Sequence, residues 1–330
     1  MLGEFSVLSR VADSIYWMNR YLERVENYAR FIDANRNLTL DLPPGMVEQW
    51  QPLIQATGDQ ELFQDLYDQA SRENVLRFLI EDRENPSSIR SCLYRARENA
   101  RSVREMLSLE IYEQINECYL RSRDAMGAGP NGLDAILADP VPFCTMIKEM
   151  SHLYYGLFYT TLSHGEGWQF GMLGQQLERS DQTTRLLDVK YFILLPTLED
   201  IGRSFDLLQW SSVLKSASAY EMYSRVFDRI EPRSIIRYLI FDRDFPRSIL
   251  FCVVRAAMSL QKITGSREGS FVNSPEKSLM RLRSDLEYSE VKEVFDIGMH
   301  EYLDGLQQRL NAISSGLHEA YFRIDPETGR

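Results

Sequence analysis

Arg20, Glu23, Asn27 and Arg30 are spaced by three or four residues, which places them on one face of a helix as a polar ladder. Glu178, Asp181, Arg185 and Asp188 make a second ladder of the same kind. Each ladder carries a Glu-Arg dipeptide, Glu23-Arg24 in the first and Glu178-Arg179 in the second. Such residues suit two roles. In a catalytic role, Glu23 or Glu178 is a general base, and Arg24, Arg83 or Arg101 clamps a carboxylate or phosphate. In a structural role, the ladders form a polar seam between helices. A buried charge without a partner is strongly unfavourable, so such a seam must be paired throughout.

A second pattern, D-R-x-x-P-x-S, occurs twice, as Asp82-Arg83 to Ser88 and as Asp242-Arg243 to Ser248. Pro86 and Pro246 suit the first turn of a helix, where no N–H is needed. Ser88 and Ser248 can satisfy free N–H groups there. One reading is a capped corner between helices, locked by ion pairs. The other is a pocket for phosphate or carboxylate, because a helix N-terminus with Arg and Ser nearby attracts anions. Arg24 and Arg179 are long enough to reach these corners.

Other chemistry is sparse. There are four histidines. Glu149-x-x-His152 has the spacing of a di-metal ligand pair, but no other histidine has Glu three residues before it, so neither a metal nor a cofactor is expected. No phosphate-binding loop, nucleophile elbow or zinc-protease motif is present. Cys92, Cys118, Cys144 and Cys252 form no C-x-x-C pair and lie in apolar helical surroundings, as buried reduced thiols do. Trp17, Trp50, Trp168 and Trp210 read as core anchors.

The elements that position these residues are helices. Val11, Ile15, Met18, Leu22, Val25, Ala29 and Ile32 recur in steps of three and four, with Ser9 as N-cap. Pro43-Pro44-Gly45 ends that region. Helical patterns follow over 46–55, 59–69, 72–81, 87–107, 109–123, 142–162, 166–191, 203–215, 219–230, 233–241, 246–262, 275–282 and 289–322. Met126–Pro140 and the segment GSREGSFVNSPEK read as loops. No sustained period-two alternation occurs, so the fold class is all-α: a helical bundle.

The chain also resembles itself. Shifted by 160, VLRFLIEDRENPSSIRSCLYRA overlies IIRYLIFDRDFPRSILFCVVRA, with Asp82/Asp242, Arg83/Arg243, Pro86/Pro246, Ser88/Ser248 and Cys92/Cys252 coinciding. Shifted by 155, LERVENYARFID overlies LERSDQTTRLLD. Matched Arg, Asp, Pro and Ser are harder to explain by composition than matched apolar residues. The expectation is a duplicated helical unit with its copies packed about a pseudo-twofold axis. A single domain at 7–322 then comprises repeats at 7–125 and 141–265, followed by C-terminal helices at 275–322.

A net charge of −11 disfavours a broad nucleic-acid surface. The start of the chain lacks the pattern of a signal peptide, and no apolar run is long enough for a membrane helix, so a cytoplasmic location is expected.

LSRVADSIYWMNRYLERVENYARFIDAN, DRENPSSIRSCLYRARENARSVRE and GWQFGMLGQQLERSDQTTRLLDVKY together resemble the alpha-E family, a bacterial helical family with a Glu-Arg motif. The likeness runs from about Val7 to Phe322. It maps the family's Glu-Arg motif onto Glu23-Arg24, with Glu178-Arg179 as a second copy. It maps the corner onto Asp82, Arg83, Asn85, Pro86, Ser87 and Ser88, and a further run onto Arg97, Glu98, Asn99 and Arg101. The second corner departs from the pattern, with Phe245 for the Asn and Arg247 for a Ser, so two ligand-binding corners need not bind equally. The resemblance implies no firm activity. It implies an accessory or scaffold component of an ATP-grasp-dependent peptide synthesis or modification system. Its companions would be a circularly permuted ATP-grasp protein and a transglutaminase-like protein, with a peptide or carboxylate as ligand. The lack of a recognisable catalytic constellation favours this accessory role over the alternative, an enzyme acting on a peptide or amide with Glu23 or Glu178 as general base.

Overall fold

The apolar stripe from Val11 to Ile32 is buried along its whole length in α1 (Ser9–Leu40). The Leu8 carbonyl takes the first helical N–H bonds, from Val11 and Ala12, so Ser9 is the first helical residue and not the cap. The computed structural model describes residues 8–40, 49–127, 132–192 and 204–323. Pro43-Pro44-Gly45 and the start of the expected 46–55 helix lie outside them.

The partner of α1 is α9 (Glu166–Phe192). Ile15 lies by Gly167 and Gly171, Tyr16 by Gly174, and Glu23 by Arg179, so the contacts advance together and the two helices run parallel. Small residues allow this approach. A Cβ at Gly174 would stand 2.5 Å from the Tyr16 carbonyl oxygen, which is backbone and cannot swing away. Gly174→Ala is therefore expected to cost about 1–3 kcal/mol, read as a lower melting temperature with an unchanged helical spectrum.

Around this pair the remaining helices form two sets. α2 (Gln51–Thr57), α3 (Gln60–Leu66), α4 (Arg72–Ile80) and α5 (Ile89–Ser102) follow α1, and α5 packs on it. α6 (Leu109–Ala125), α7 (Leu133–Ala138) and α8 (Val141–Thr161) come next, with α8 lying against both α1 and α6. After α9 come α10 (Ser204–Ser216), α11 (Tyr220–Val226), α12 (Pro232–Phe241) and α13 (Ile249–Thr264), and α13 packs on α9 as α5 does on α1. α14 (Ser274–Tyr288), α15 (Val291–Ile297) and α16 (Met299–Leu317) close the bundle over α9 and α13. No strand occurs among the described residues, so the fold is all-α.

Several expectations are corrected. The loop expected over Met126–Pro140 contains α7, which buries Ile136 and Leu137. The helix expected over 289–322 is broken by Gly298, whose φ of +105° lies outside the helical region, and it ends in a π turn at His318–Phe322. Pro86 and Pro246 sit before the N-caps Ser88 and Ser248, and not in the first helical turn. Trp50, Trp168 and Trp210 are buried, whereas Trp17 is half-buried and stacks on Tyr21.

A candidate Glu-Arg exchange site

The two ladders face one another across the contact between α1 and α9, and each Glu-Arg dipeptide completes the other. Glu178 accepts from Arg24 at 2.7 Å (Nε to Oε1) and 3.1 Å (Nη2 to Oε2). Reciprocally, Glu23 accepts from Arg179 at 2.8 Å (Nε to Oε1) and 2.7 Å (Nη2 to Oε2). These are forked guanidinium–carboxylate pairs, the geometry in which Arg binds a carboxylate most firmly. Both Glu side chains are 0% exposed.

Each carboxylate is then completed by its own neighbours. Arg20 donates to Glu178 at 2.8 Å and Gln182 does so at 2.9 Å. Glu23 accepts from the Tyr155 hydroxyl at 2.7 Å and from Asn27 at 2.9 Å. Burial would raise the Glu178 carboxyl, but Arg24 and then Arg20 outweigh it and hold the group at about 2. Burial likewise opposes ionisation of Glu23, and Arg179 followed by Arg247 turns the net shift downward.

The exchange continues about two turns further along. Arg30, on α1, donates to the Ser216 carbonyl at the end of α10 and to Ser218 Oγ at 2.7 Å. Arg185, on α9, donates at 3.0 and 2.7 Å to the Ala56 and Thr57 carbonyls at the end of α2. A cation is favoured at a helix C-terminus, where the last carbonyls lack partners. A left-handed backbone follows each capped end, at Gly58 (φ +75°) directly after α2 and at Ser218 (φ +51°) two residues after α10. Each Arg is also held by an acid of its own helix, Arg30 by Glu26 at 2.5 Å and Arg185 by Asp181 at 2.7 Å. At the far end of the second ladder, Asp188 lies 2.9 Å from Nδ1 of His300 on α16.

The corners play a smaller part than their sequence suggests. Ser88 accepts from the Ser91 N–H as N-cap of α5 and donates to the Asp82 carbonyl at 2.7 Å. Ser248 caps α13 in the same way and donates to the Asp242 carbonyl. Each cap hydroxyl is thus occupied by its own corner. The Asp82 carboxylate is taken by the Tyr67 hydroxyl and the Glu84 N–H, and that of Asp242 by the Asp244 and Phe245 N–H groups. Arg83 and Arg243 are exposed. Arg24 reaches Ser87 at 3.4 Å, yet its main partner is Glu178, and Arg179 turns to Glu23. The expected ion pairing of Arg24 and Arg179 with the Asp-Arg corners is therefore replaced by pairing across the seam. Arg97, Glu98 and Arg101 lie on the outer side of α5. Arg97 bonds Asn116 and covers the Tyr119 ring, while Arg101 pairs with Glu98 at 3.1 Å.

Several participants, Arg247, Glu26 and Tyr155 foremost, are absent from the ladders read in the sequence. Arg247, noted only as a departure in the second corner, plugs that corner into the seam, bonding Glu26 at 2.5 Å, Asn27 at 3.2 Å and Glu23 at 3.4 Å. Glu26 is 0% exposed and collects Arg30, Arg247 and His152 on one oxygen. Tyr155 arrives from α8. Two signals were available: the change from Ser87 to Arg247 at matched positions, which adds a cation where the pattern has a hydroxyl, and the alignment of Glu26 with Asp181 under the shift of 155. His152 approaches Glu26 at 3.2 Å, so the residue with metal-ligand spacing has a partner in the seam.

The four cysteines are buried and free, and burial pushes the Cys92, Cys118 and Cys252 thiols up to about 12. Native protein at pH 8 should therefore react with a thiol reagent no faster than it unfolds. Rapid titration of one thiol without denaturant would contradict this burial.

The Alpha-E family model, a predicted alpha-helical domain with a conserved ER motif, matches residues 7–322. An uncharacterised protein of Mycobacterium bovis and two of Mycobacterium tuberculosis strains are each 22% identical over 334 residues, covering 96% of this chain and 36% of theirs. The chain thus spans about a third of the length of these curated relatives. No solved structure matches it. Among the described residues, no helix is long and apolar enough to cross a membrane.

Proposed function

The chain belongs to the Alpha-E family, and we propose that its Glu-Arg motif is an interhelical lock within a non-catalytic accessory protein. One observation carries this reading: each motif glutamate is sealed from solvent and already bound by the arginine of the other motif. A general base needs contact with the proton it removes and a pKa near the working pH. Glu178, held at about 2, has neither, and Glu23 is as deeply buried and shifted the same way. Of the arginines that would clamp a substrate anion, Arg24 is spent on Glu178 and Arg101 on Glu98, while Arg83 is exposed at its corner, away from the seam.

The lock also supports the duplication reading. In a molecule of two like halves about a pseudo-twofold axis, each half offers its Glu to the Arg of the other. The crossed Glu-Arg pairs and the crossed caps from Arg30 and Arg185 follow that scheme. The matched bonds of Ser88 and Ser248 agree with it. Neither half then satisfies its own seam, and the two make one domain.

The accessory role we assign is in an ATP-grasp-dependent peptide synthesis or modification system. There the protein acts by holding a partner enzyme or its peptide acceptor. The test is co-purification of tagged protein with the circularly permuted ATP-grasp protein of the same host, with and without ATP. The expected result is retention at a fixed molar ratio. The purified pair should also ligate a peptide faster than the ligase alone. Failure of retention in both conditions removes the accessory reading.

A further inference from the structure

Between Asp285 and Asp304 the sequence holds seven acidic residues and one lysine, a large part of the net −11 of the chain. The same stretch leaves large apolar side chains in solvent: Tyr288 is 84% exposed, Ile297 57% and Phe295 49%. Exposed apolar side chains rimmed by charge are the pattern of an interaction surface.

These residues frame a groove. It runs between the end of α14, α15 and the first turns of α16, and holds about 550 Å³, enough for two or three side chains of a ligand. Leu286, Tyr302 and Leu306 form its apolar floor and walls, with Tyr288 and Ile297 at the rim. The break at Gly298 separates α15 from α16, and both helices contribute to the lining. Gly305 leaves the floor open, since a Cβ there would meet nothing within 4 Å. Asp285, Glu293 and Glu301 contribute the charge, and the single cation of the lining, Arg309, is paired with Asp285 at 2.6 Å. The groove therefore keeps a net negative potential over an apolar bed.

We propose that this groove docks a basic, aliphatic segment of a partner protein, with leucine-like side chains in the groove and Lys or Arg at its acidic rim. Charge complementarity decides the occupant. An acidic segment would be repelled, and a purely apolar one would leave Glu293 and Glu301 facing low-dielectric surface. The inference rests on the groove alone and stands or falls apart from the accessory reading above.

The probe is a fluorescein-labelled, amidated nonapeptide of alternating leucine and arginine, followed by anisotropy against the full chain. A serine–arginine peptide and a leucine–glutamate peptide of the same length serve as comparisons. Saturable binding of the leucine–arginine peptide is expected, at least about tenfold tighter than either comparison, a ratio worth about 1.4 kcal/mol, and weaker in added salt. Gly305→Leu fills the floor and improves helix propensity, so it should remain folded and lose at least about tenfold in affinity. Tyr288→Ser with Ile297→Ser, both at exposed positions, should also weaken binding. Three results would each overturn the proposal. One is equal binding of the serine–arginine peptide, which would indicate charge alone. Another is undiminished binding to folded Gly305→Leu protein. The third is no saturation up to millimolar peptide.

Discussion

Glu178→Ala is expected to lower the stability of the fold by about 3–5 kcal/mol, because it leaves Arg20 and Arg24 buried without their anion. The size of the effect comes from what remains and not from what is removed. Deleting a buried charge pair together can be nearly neutral, whereas deleting one member strands the other. Glu178→Ala paired with Arg24→Ala should therefore lose less than the sum of the two single changes, by about 1–3 kcal/mol in a double-mutant cycle. The same cycle on Glu23 and Arg179 should behave alike, since the forked geometry is repeated there. Chemical denaturation of the single and double variants measures this. Additive losses would mean that the exchange contributes no coupling, and the lock would have to be abandoned.

Acid should weaken the protein through the same residue. The Glu178 carboxyl is held at about 2 in the fold against an ordinary value of 4.5, burial opposing and Arg24 with Arg20 prevailing. A carboxyl with a depressed native pKa contributes stability that is fully present above its unfolded value. That contribution is lost as the pH falls toward the native one. The window therefore runs from about pH 4.5 down to about 2, and the contribution is on the order of 3 kcal/mol. Glu23 and Glu26 shift in the same direction and deepen the loss. Asp59 and Asp188 shift upward, chiefly by burial, and oppose it. Comparison with Glu178→Gln isolates the residue. The gap in melting temperature between native protein and this variant should be widest near pH 6 and close on descent through that window. A gap independent of pH would show that Glu178 ionises alike in both states.

Much of this arrangement was legible in the sequence, and the reasons differ by level. Helix positions followed from the apolar period, because a stripe such as Val11 to Ile32 can be buried only one way. The polar ladders were visible for the same reason, being charges in a helix whose other faces are apolar. Which Glu meets which Arg was not visible. Arg24 can extend to its own corner or to α9, and only the parallel packing of α1 on α9 brings Glu178 closer. Arg247 was hidden by the same limit. A cation before a helix cap reads as surface until the facing Glu26 is located. The short helix α7 was hidden because its six residues carry too little period to stand out from a Gly-rich stretch. The break at Gly298 went unread because a lone glycine is tolerated in many helices.

The parallel pairing of α1 with α9 has a consequence for how the chain is made. The lock joins residues 156 positions apart, so Glu23 has no Arg179 until α9 has left the ribosome. Up to that point Glu23 and Arg24 lack the charged partners that α9 supplies. Loop closure over such a span is entropically costly and slows the final step. Emerging chains should therefore pass through a stage in which α1 is helical but not docked on α9, making them natural clients for chaperones during synthesis.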